Sequence, residues 1–392
     1  MTKRILLNAG NITGDGAKAI GVGLIPVLPV KMQNFDFFIL LPDEEPFTRI
    51  TYPKNANVIF IKRQKGWVNS FDRVWQLFVV VPLITRRVKP DLLFSLGDLS
   101  PAFSACPRIA FVQNALLVYE EHELARIRTW SKRKRFFLTK YFAFISHHQN
   151  FIVQTPIMKE HLANRYKVDR GRIDVVTQAV PIHVSSNRDK QEKLSIITDC
   201  KKQLRLLFLS AYYLHKNHAI LIAVAEELRQ QQLTSQVQIF TTLDIEQESS
   251  LEIRKLMSNY PDVITNLGHL PRECVVPALK SSTALFLPTL LESYGNIYLE
   301  AMSFGLPILT SDRDFAHWIT NDLALYFDPF SVESIVNCIK DLPNYLLRIN
   351  EYRSATQKYL AEFPKDYNET AEKFALVLNK VIDQYDSRKG SN

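Results

Sequence analysis

Short apolar segments recur along the whole chain, and most are followed by a segment with helical periodicity. The apolar runs are continuous rather than alternating, which is typical of strands buried on both faces of a parallel sheet. They predict strands at Arg4–Leu7, Phe37–Leu41, Val58–Ile61, Leu92–Phe94, Ile109–Val112, Phe151–Gln154, Leu206–Ser210, Val237–Thr241, Ala284–Leu287 and Pro307–Thr310. The helical patterns predict helices at Lys18–Ile25, Phe71–Arg86, Lys159–Tyr166, Ala219–Gln230, Ile297–Phe304 and Val332–Ile339. Because the strand–helix alternation occurs twice, we expect an α/β protein with two doubly wound domains.

A polar stretch separates the two series of strands and helices. The first series ends near Ile182, and residues 185–203 are mostly polar or charged, apart from a short apolar step at Leu194–Ile197. We therefore expect domains at residues 1–183 and 204–365, joined by a linker at about 183–203. A last helix at about 366–385 has no strand after it. We expect this helix to pack back on the first domain.

Composition narrows the class of protein. The chain has 392 residues, of which 46% are hydrophobic and 22% charged, and this excludes a disordered or fibrous protein. Its net charge of +8 favours a polyanionic partner, such as nucleic acid, an anionic membrane surface or a phosphorylated ligand. The four cysteines lie far apart, which predicts neither a zinc site nor a disulfide framework and favours a reducing cytoplasmic compartment. We expect neither a signal peptide nor a membrane-spanning helix.

The most informative stretch runs from Leu287 to Pro307. A buried strand is predicted to end there at Pro288, before a loop with Glu292 and Gly295 and a helix with Glu300 one turn along it. Ligands of α/β sheets bind at the carboxyl ends of the strands, where helix N-termini present free N–H groups. The glycine allows a phosphate close to the backbone, and the carboxylate of Glu300 suits a ribose diol. Glu292 suits hydroxyl groups beyond the phosphates. The alternative is a surface helix that begins with acidic residues.

Two glutamates separated by seven residues and followed by Ala-Met-Ser-Phe-Gly-Leu-Pro resemble the E-x7-E signature of retaining GT-B glycosyltransferases of family 4. The resemblance implies two Rossmann-like domains facing a central cleft, with a nucleotide-sugar donor held by the second domain. It implies sugar transfer to a glycan acceptor without a metal or another cofactor, with Glu292 on the donor sugar. The donor-binding candidates are Gly295, Asn296, Ile297, Glu300 and, near the nucleobase, His269.

The segment Leu207–His218 opens the second domain and resembles the family's strand–loop–helix unit that brings a lysine, here Lys216, to the donor diphosphate. The arginine usual five residues earlier is Ala211 here, so one of two expected cations is absent. A solvated residue at the start of a helix is the alternative for Lys216. The neighbouring His215 and His218 are interpreted as packing or polar loop residues rather than catalysts.

The first domain carries weaker signals. Gly10 and Gly14 follow the first strand and resemble the loop that lies against the donor phosphate and acceptor, although a plain strand-to-helix turn fits equally. Gln113 and Asn114 follow a later strand, where many family members have a histidine at the point of sugar transfer. Both can bind sugar hydroxyl groups but cannot act as a base, and plain capping of the strand end stays open. Asp98 is a candidate for lining the acceptor cleft.

Asp312-Arg313-Asp314 matches the D-x-D pattern that holds a metal in GT-A glycosyltransferases. It follows the strand after the E-x7-E segment, so we interpret it as a loop and expect no metal there.

A basic segment in the first domain contains Arg133, Lys134 and Arg135, interleaved with aromatic residues. Such a mixture suits an anionic lipid surface, and a solvated helix with one buried face is the alternative. No recognised nucleic-acid module accompanies it, so no nucleic acid is expected. We expect a cytoplasmic protein, peripheral at the inner face of the cell membrane. Its acceptor is expected to be a lipid-linked glycan of bacterial surface polysaccharide, as in O-antigen or capsule synthesis.

Two other functions stay open. One is a nucleotide-sugar epimerase, which would need no free acceptor. The other is a non-catalytic relative that binds a glycan or a partner enzyme, and Ala211 together with Gln113 and Asn114 keeps it open.

Overall fold

The computed structural model describes residues 2–12, 15–62, 74–125, 127, 132–179 and 192–390. The chain divides into two compact units, each taken by itself below. Of the described residues, those up to 120, 132–179 and 364–390 form the first unit. Residues 121–125, 127 and 192–363 form the second unit.

The described residues of the first unit form a seven-stranded parallel sheet in the order β3-β2-β1-β4-β5-β6-β7. Its strands are β1 (Lys3–Asn8), β2 (Phe35–Pro42), β3 (Ala56–Ile61), β4 (Leu92–Ser95), β5 (Arg108–Val112), β6 (Asn150–Val153) and β7 (Ile173–Val175). Its helices are Asp15–Leu24, Leu28–Lys31, Val81–Val88, Ala115–Val118, Lys132–Ser146, Pro156–Tyr166 and Tyr367–Gly390, with a π-helical turn at Gln76–Val80. The winding direction reverses between β1 and β4.

Side chains alternate along β1 between two apolar layers, which explains its continuous apolar sequence. Ile5 and Leu7 belong to a large cluster on one face of the sheet. Leu6 lies in a second cluster with Leu40 and Leu93. Each strand residue thus removes apolar surface from water, whichever way it points.

The C-terminal helix Tyr367–Gly390 completes the first unit's large cluster. Its Phe374 ring meets the Phe111 ring edge-on, with ring centroids 5.2 Å apart. Leu378 and Ile382 are buried in the same cluster. The hydroxyl of Thr370 accepts a hydrogen bond from the Ala179 N–H at 3.0 Å. The helix therefore packs on the first sheet, although the second unit precedes it in sequence.

The described residues of the second unit form a six-stranded parallel sheet in the order β10-β9-β8-β11-β12-β13. Its strands are β8 (Leu204–Phe208), β9 (Val237–Thr241), β10 (Ile264–Asn266), β11 (Ala284–Leu287), β12 (Ile308–Ser311) and β13 (Leu325–Phe327). Its helices are Glu121–Leu124, Glu192–Thr198, Ile220–Gln230, Leu251–Met257, Arg272–Ser281, Asn296–Ser303, Asp314–Thr320, Val332–Leu346 and Ile349–Leu360. Here the winding reverses between β8 and β11, and such a reversal is where doubly wound sheets bind ligands.

The structure confirms two doubly wound α/β units and corrects some elements. The predicted strand Leu206–Ser210 lies two residues earlier, and β7, β10 and β13 were not predicted. These three strands are three residues long and lie at sheet edges, so they carry little apolar pattern. The apolar step expected inside the linker belongs to the helix Glu192–Thr198, where Ile197 is buried. Residues 71–73 of the predicted helix Phe71–Arg86 and residues 180–191 of the boundary region lie outside the described residues.

Candidate active site

The loops that follow β8 and β11 meet where the second sheet reverses direction. The backbone N–H of Leu290 donates to the carbonyl of His215 at 2.7 Å. The hydroxyl of Thr289 lies 3.3 Å from the same carbonyl. These strands are neighbours in the sheet, so their carboxyl ends bring the two loops together.

An ion pair joins the two loops through their charged side chains. The ammonium group of Lys216 contacts Oε1 of Glu292, and the side chains are 19% and 13% exposed. Lys216 ends the short 3-10 turn Leu214–Lys216, after which Asn217 takes the left-handed conformation. The structure thus brings together two predicted site residues that lie 76 positions apart.

Gly295 shapes the start of the helix Asn296–Ser303. Its φ of +72° lies in the left-handed region, and a Cβ there would lie 2.7 Å from Cδ2 of Tyr298. No residue with a side chain fits this position without strain. Asn296 begins the helix, and its Oδ1 is buried without a hydrogen-bond partner among the described residues. Ile297 is the next helix residue and is half-buried. The free N–H groups of the first helical turn therefore include those of Asn296 and Ile297, both predicted to bind the donor.

Tyr298 anchors this helix to the sheet. Its hydroxyl lies 2.7 Å from Oγ1 of Thr310, which in turn donates to the carbonyl of Leu287. Burial, and then the charge of Glu292, raises the pKa of Tyr298 well above its usual range. The tyrosine is therefore a neutral hydrogen-bonding group that fixes the helix over β11 and β12.

Glu300 lies on the same helix and pairs with a residue that sequence reasoning missed. Nη2 of Arg272 lies 2.5 Å from Oε1 of Glu300, whose side chain is 4% exposed, whereas that of Arg272 is 45% exposed. Burial raises the pKa of Glu300, and the guanidinium opposes this shift. Arg272 is the first residue of its helix, after the loop that follows β10, and this position is the only sequence signal that could have indicated it.

The two histidines of the Lys216 loop do not add positive charge to the site. Burial, and then the charge of Lys216, lowers the pKa of both His215 and His218 to about 3. The His218 ring stacks on Phe208, with ring centroids 4.3 Å apart. Both imidazoles are neutral near pH 7, which leaves Lys216 as the cation of this loop.

His269 lies in the loop after β10, where it is exposed to solvent. The preceding Gly268 has a φ of +70°. The side chain of Asn266 holds this loop, because its Oδ1 accepts from the N–H groups of Leu243 and Gly268 at 2.9 and 3.3 Å. The backbone near His269 is therefore fixed to the loop that follows β9.

The candidates of the first unit lie at the carboxyl ends of its central strands. Gly10 follows β1, and its N–H donates to Oδ1 of Asn8 at 3.3 Å. Oδ1 of Asp98 accepts from the N–H groups of Gln113 and Asn114 at 2.8 and 3.0 Å. Asp98 therefore organises the loop after β5.

The side chains of Gln113 and Asn114 have structural contacts. The amide of Gln113 donates to the carbonyl of Leu96 at 3.1 Å. Oδ1 of Asn114 accepts from the N–H of Leu116 as the N-cap of a short helix. The strand-end capping that the sequence left open is thus present, whereas Gly14 lies outside the described residues.

The remaining candidates belong to other segments of the chain. Asp312 follows β12, with its carboxylate 2.7 Å from Nε2 of His317, and Asp314 begins the helix Asp314–Thr320. Arg133, Lys134 and Arg135 lie on the helix Lys132–Ser146, but their side chains are outside the described part of the chain.

Comparison with known proteins bears on the second unit. Residues 189–362 match the family model described as glycosyl transferases group 1. This segment is thus similar to group 1 glycosyltransferases. It includes Lys216, Glu292 and Glu300 and supports a glycosyltransferase. No curated protein matches the sequence significantly.

Solved structures resemble almost the whole chain at low sequence identity. Sucrose-phosphate synthase from Thermosynechococcus elongatus has a TM-score of 0.71 and 14% identity, covering 97% of this chain and 100% of that one. HepE of Anabaena, in complex with UDP and glucose, has a TM-score of 0.67 and 14% identity, covering 96% and 100%. WaaG, a glycosyltransferase involved in lipopolysaccharide biosynthesis, has a TM-score of 0.63 and 15% identity, covering 95% and 99%. At such identities the likeness shows the fold alone.

Proposed function

We propose that the protein is a retaining glycosyltransferase of family 4 that transfers a sugar from a nucleotide-sugar donor to a glycan acceptor. The observation that carries the proposal is the pairing of Lys216 with Glu292 at the switch point of a group 1 glycosyltransferase domain. A cation for a diphosphate and a carboxylate for sugar hydroxyl groups lie together there, and a left-handed glycine directly precedes the helix that follows the carboxylate.

The second unit supplies the groups that the donor needs. Glu300 binds the ribose diol, and Lys216 with the N–H groups at Gly295 and Asn296 stabilises the charge that grows on the leaving diphosphate. Glu292 orients the donor sugar, whose transition state resembles an oxocarbenium ion. Retention follows from attack on the face that the diphosphate leaves, with this diphosphate accepting the acceptor's proton. Since fixed cationic and N–H groups provide the stabilisation, the proposed mechanism uses no metal.

The remaining candidates keep proposed roles. His269 and the backbone around it lie near the nucleobase, and Ile297 belongs to the donor-binding first turn. Gly10 and Gly14 contact the donor phosphate or the acceptor. Gln113 and Asn114 bind sugar hydroxyl groups, and Asn114 does so through its amide nitrogen because its oxygen caps a helix.

Nucleotide binding tests the proposal first. Near 100 times its dissociation constant, one of UDP, GDP, ADP, TDP and CMP should stabilise the protein by about 2.7 kcal/mol without metal. UDP is tested first because the HepE structure was solved with UDP. Glu300→Ala should abolish the shift in Tm, whereas Glu252→Ala, an exposed helix residue of the same unit, should keep it. If no nucleotide stabilises the wild type, with or without magnesium, the non-catalytic alternative is favoured.

Product analysis separates the enzymatic alternatives. With donor but no acceptor, a transferase should slowly release free sugar and nucleoside diphosphate. An epimerase would instead yield a nucleotide-sugar with one inverted carbon. Finding that epimer would contradict the proposed function while leaving the donor site in place.

The proposed acceptor is a lipid-linked glycan at the inner face of the cell membrane, within bacterial surface polysaccharide synthesis. The helix Lys132–Ser146 supports this, because its Phe136, Phe137 and Phe144 side chains are 58%, 71% and 48% exposed. The ammonium of Lys140 lies 5.6 Å from the centroid of the Phe136 ring. Aromatic and basic groups mixed in this way suit an anionic lipid surface. Within the described residues, no helix is long and apolar enough to cross a membrane.

Removal of charge from this helix tests membrane binding. The triple variant Arg133→Ser, Lys134→Ser, Arg135→Ser should bind vesicles of phosphatidylglycerol and phosphatidylcholine about 100-fold more weakly, at about 1 kcal/mol per cation. Binding is measured by sedimentation at fixed ionic strength. The matched control removes three exposed lysines of the second unit, Lys201, Lys255 and Lys358, and should bind as the wild type does. Equal binding by both triple variants would exclude this helix as the membrane surface.

A further inference from the structure

Arg272 is a half-exposed cation placed over a buried carboxylate in the candidate donor site. Its guanidinium meets Oε1 of Glu300, and no described residue donates a hydrogen bond to Oε2. The two residues come from different elements, the helix Arg272–Ser281 and the helix Asn296–Ser303. The contact therefore fixes one carboxylate oxygen and leaves the other for a ligand.

We propose that Arg272 is a positioning residue for the donor nucleotide, which holds Glu300 so that its second carboxylate oxygen faces the ribose hydroxyl groups. This inference rests on the proposed function and adds a residue to it. An exposed ion pair contributes little to stability, but here the carboxylate is almost fully buried. Without its partner, that carboxylate would lose both its orientation and its compensating charge.

The local electrostatics make this role measurable through pH. Arg272 is the charged group that acts on Glu300. The neighbouring elements bring Lys280 against Phe304 and Arg353 against Gly305, both beyond the C-terminal end of the Glu300 helix. Removing Arg272 leaves burial unopposed, so the pKa of Glu300 rises. A protonated carboxyl accepts O–H bonds more weakly than a carboxylate does, so the ribonucleotide affinity of this variant should fall as pH falls.

The experiment uses the full chain and the ribonucleotide among UDP, GDP, ADP and CMP that stabilises the wild type, together with its 2′,3′-dideoxy form. Arg272→Gln should raise the Kd of the ribonucleotide about 10-fold or more, as expected for a bond to a charged group. It should leave the Kd of the dideoxy form unchanged. Lowering the pH should weaken ribonucleotide binding, relative to binding of the dideoxy form, more in this variant than in the wild type. Arg272→Lys keeps the charge but not the planar guanidinium, so its ribonucleotide Kd should rise less than that of Arg272→Gln, by severalfold.

Two controls keep the inference testable. In a Glu300→Gln background, Arg272→Gln should add no further loss, because it acts through Glu300. If Arg272→Gln does not fold, as judged by circular dichroism, Arg272→Lys provides the comparison, and its ribonucleotide Kd should rise severalfold while its dideoxy Kd stays constant. Equal losses for both nucleotide forms, or no loss, would overturn the positioning role while the proposed function stands. A wild type that binds none of UDP, GDP, ADP, TDP and CMP would overturn both.

Discussion

Lys216→Met should lower the rate of nucleoside diphosphate release from the nucleotide-sugar by about 100- to 1,000-fold, the usual cost of losing one group that stabilises developing charge. The loss should appear in kcat, because the charge on the leaving diphosphate is largest in the transition state. The KM for the donor should rise less. Lys216→Arg should retain much of the rate, since it keeps a cation on the same loop.

We expect this large effect because the loop of Lys216 offers no second cation. Ala211 occupies the position where the resembled family has a second cation. His215 and His218 cannot replace it, because their pKa values of about 3 keep both imidazoles neutral. Among residues 209–219, Lys216 is the only Lys, Arg, Asp or Glu.

A loss of stability must be separated from a loss of catalysis. Lys216→Met leaves the carboxylate of Glu292, which is 13% exposed, without its cation. The double variant Lys216→Met, Glu292→Gln removes that uncompensated charge. It should have a Tm closer to that of the wild type while staying as inactive as the single variant. A folded Lys216→Met protein with the wild-type rate would contradict the role of Lys216.

The fold was predictable where strands are long and buried. In β2, for example, nearly every side chain is apolar, so the strand stands out in the sequence. The edge strands β7, β10 and β13 lack this signal, because each has three residues and at least one half-buried side chain. Their existence depends on pairing with a neighbouring strand that only the folded sheet supplies.

The candidate site was predictable in its local part. The spacing of Glu292, Gly295 and Glu300 places one carboxylate in a loop and the other on a helix, as the structure has them. Contacts between distant segments could not be read from that spacing. Arg272 lies 28 positions from Glu300, and only the meeting of two helices makes it a partner. Likewise, Asn114 acts as a helix cap because of where its loop is held, by Asp98, rather than because of its residue type.

Glu292→Gln should separate nucleotide binding from sugar transfer. In the wild type Glu292 neutralises the ammonium of Lys216, so an incoming diphosphate competes with a carboxylate for the same cation. Glutamine keeps the size of the side chain but releases the lysine. We expect the nucleoside diphosphate to bind about 3- to 10-fold more tightly, because its hydrogen bond to Lys216 no longer replaces one to the Glu292 carboxylate. Transfer should fall about 100-fold or more, because the contact that orients the donor sugar is weakened.

Calorimetry for the nucleoside diphosphate and steady-state turnover of the nucleotide-sugar measure the two effects on one preparation. The exposed control Glu252→Gln removes the same charge from the same unit and should change neither. Tighter binding with lost turnover would mean that the ion pair holds Lys216 in the empty site. When the donor binds, its sugar would contact Glu292 and its diphosphate would replace Glu292 as the partner of Lys216. Such an exchange would make the site bind the complete nucleotide-sugar more tightly than the free diphosphate product, because the product has no sugar to contact Glu292. Weaker diphosphate binding in Glu292→Gln would contradict this, since the carboxylate would then support the site by holding the lysine in place.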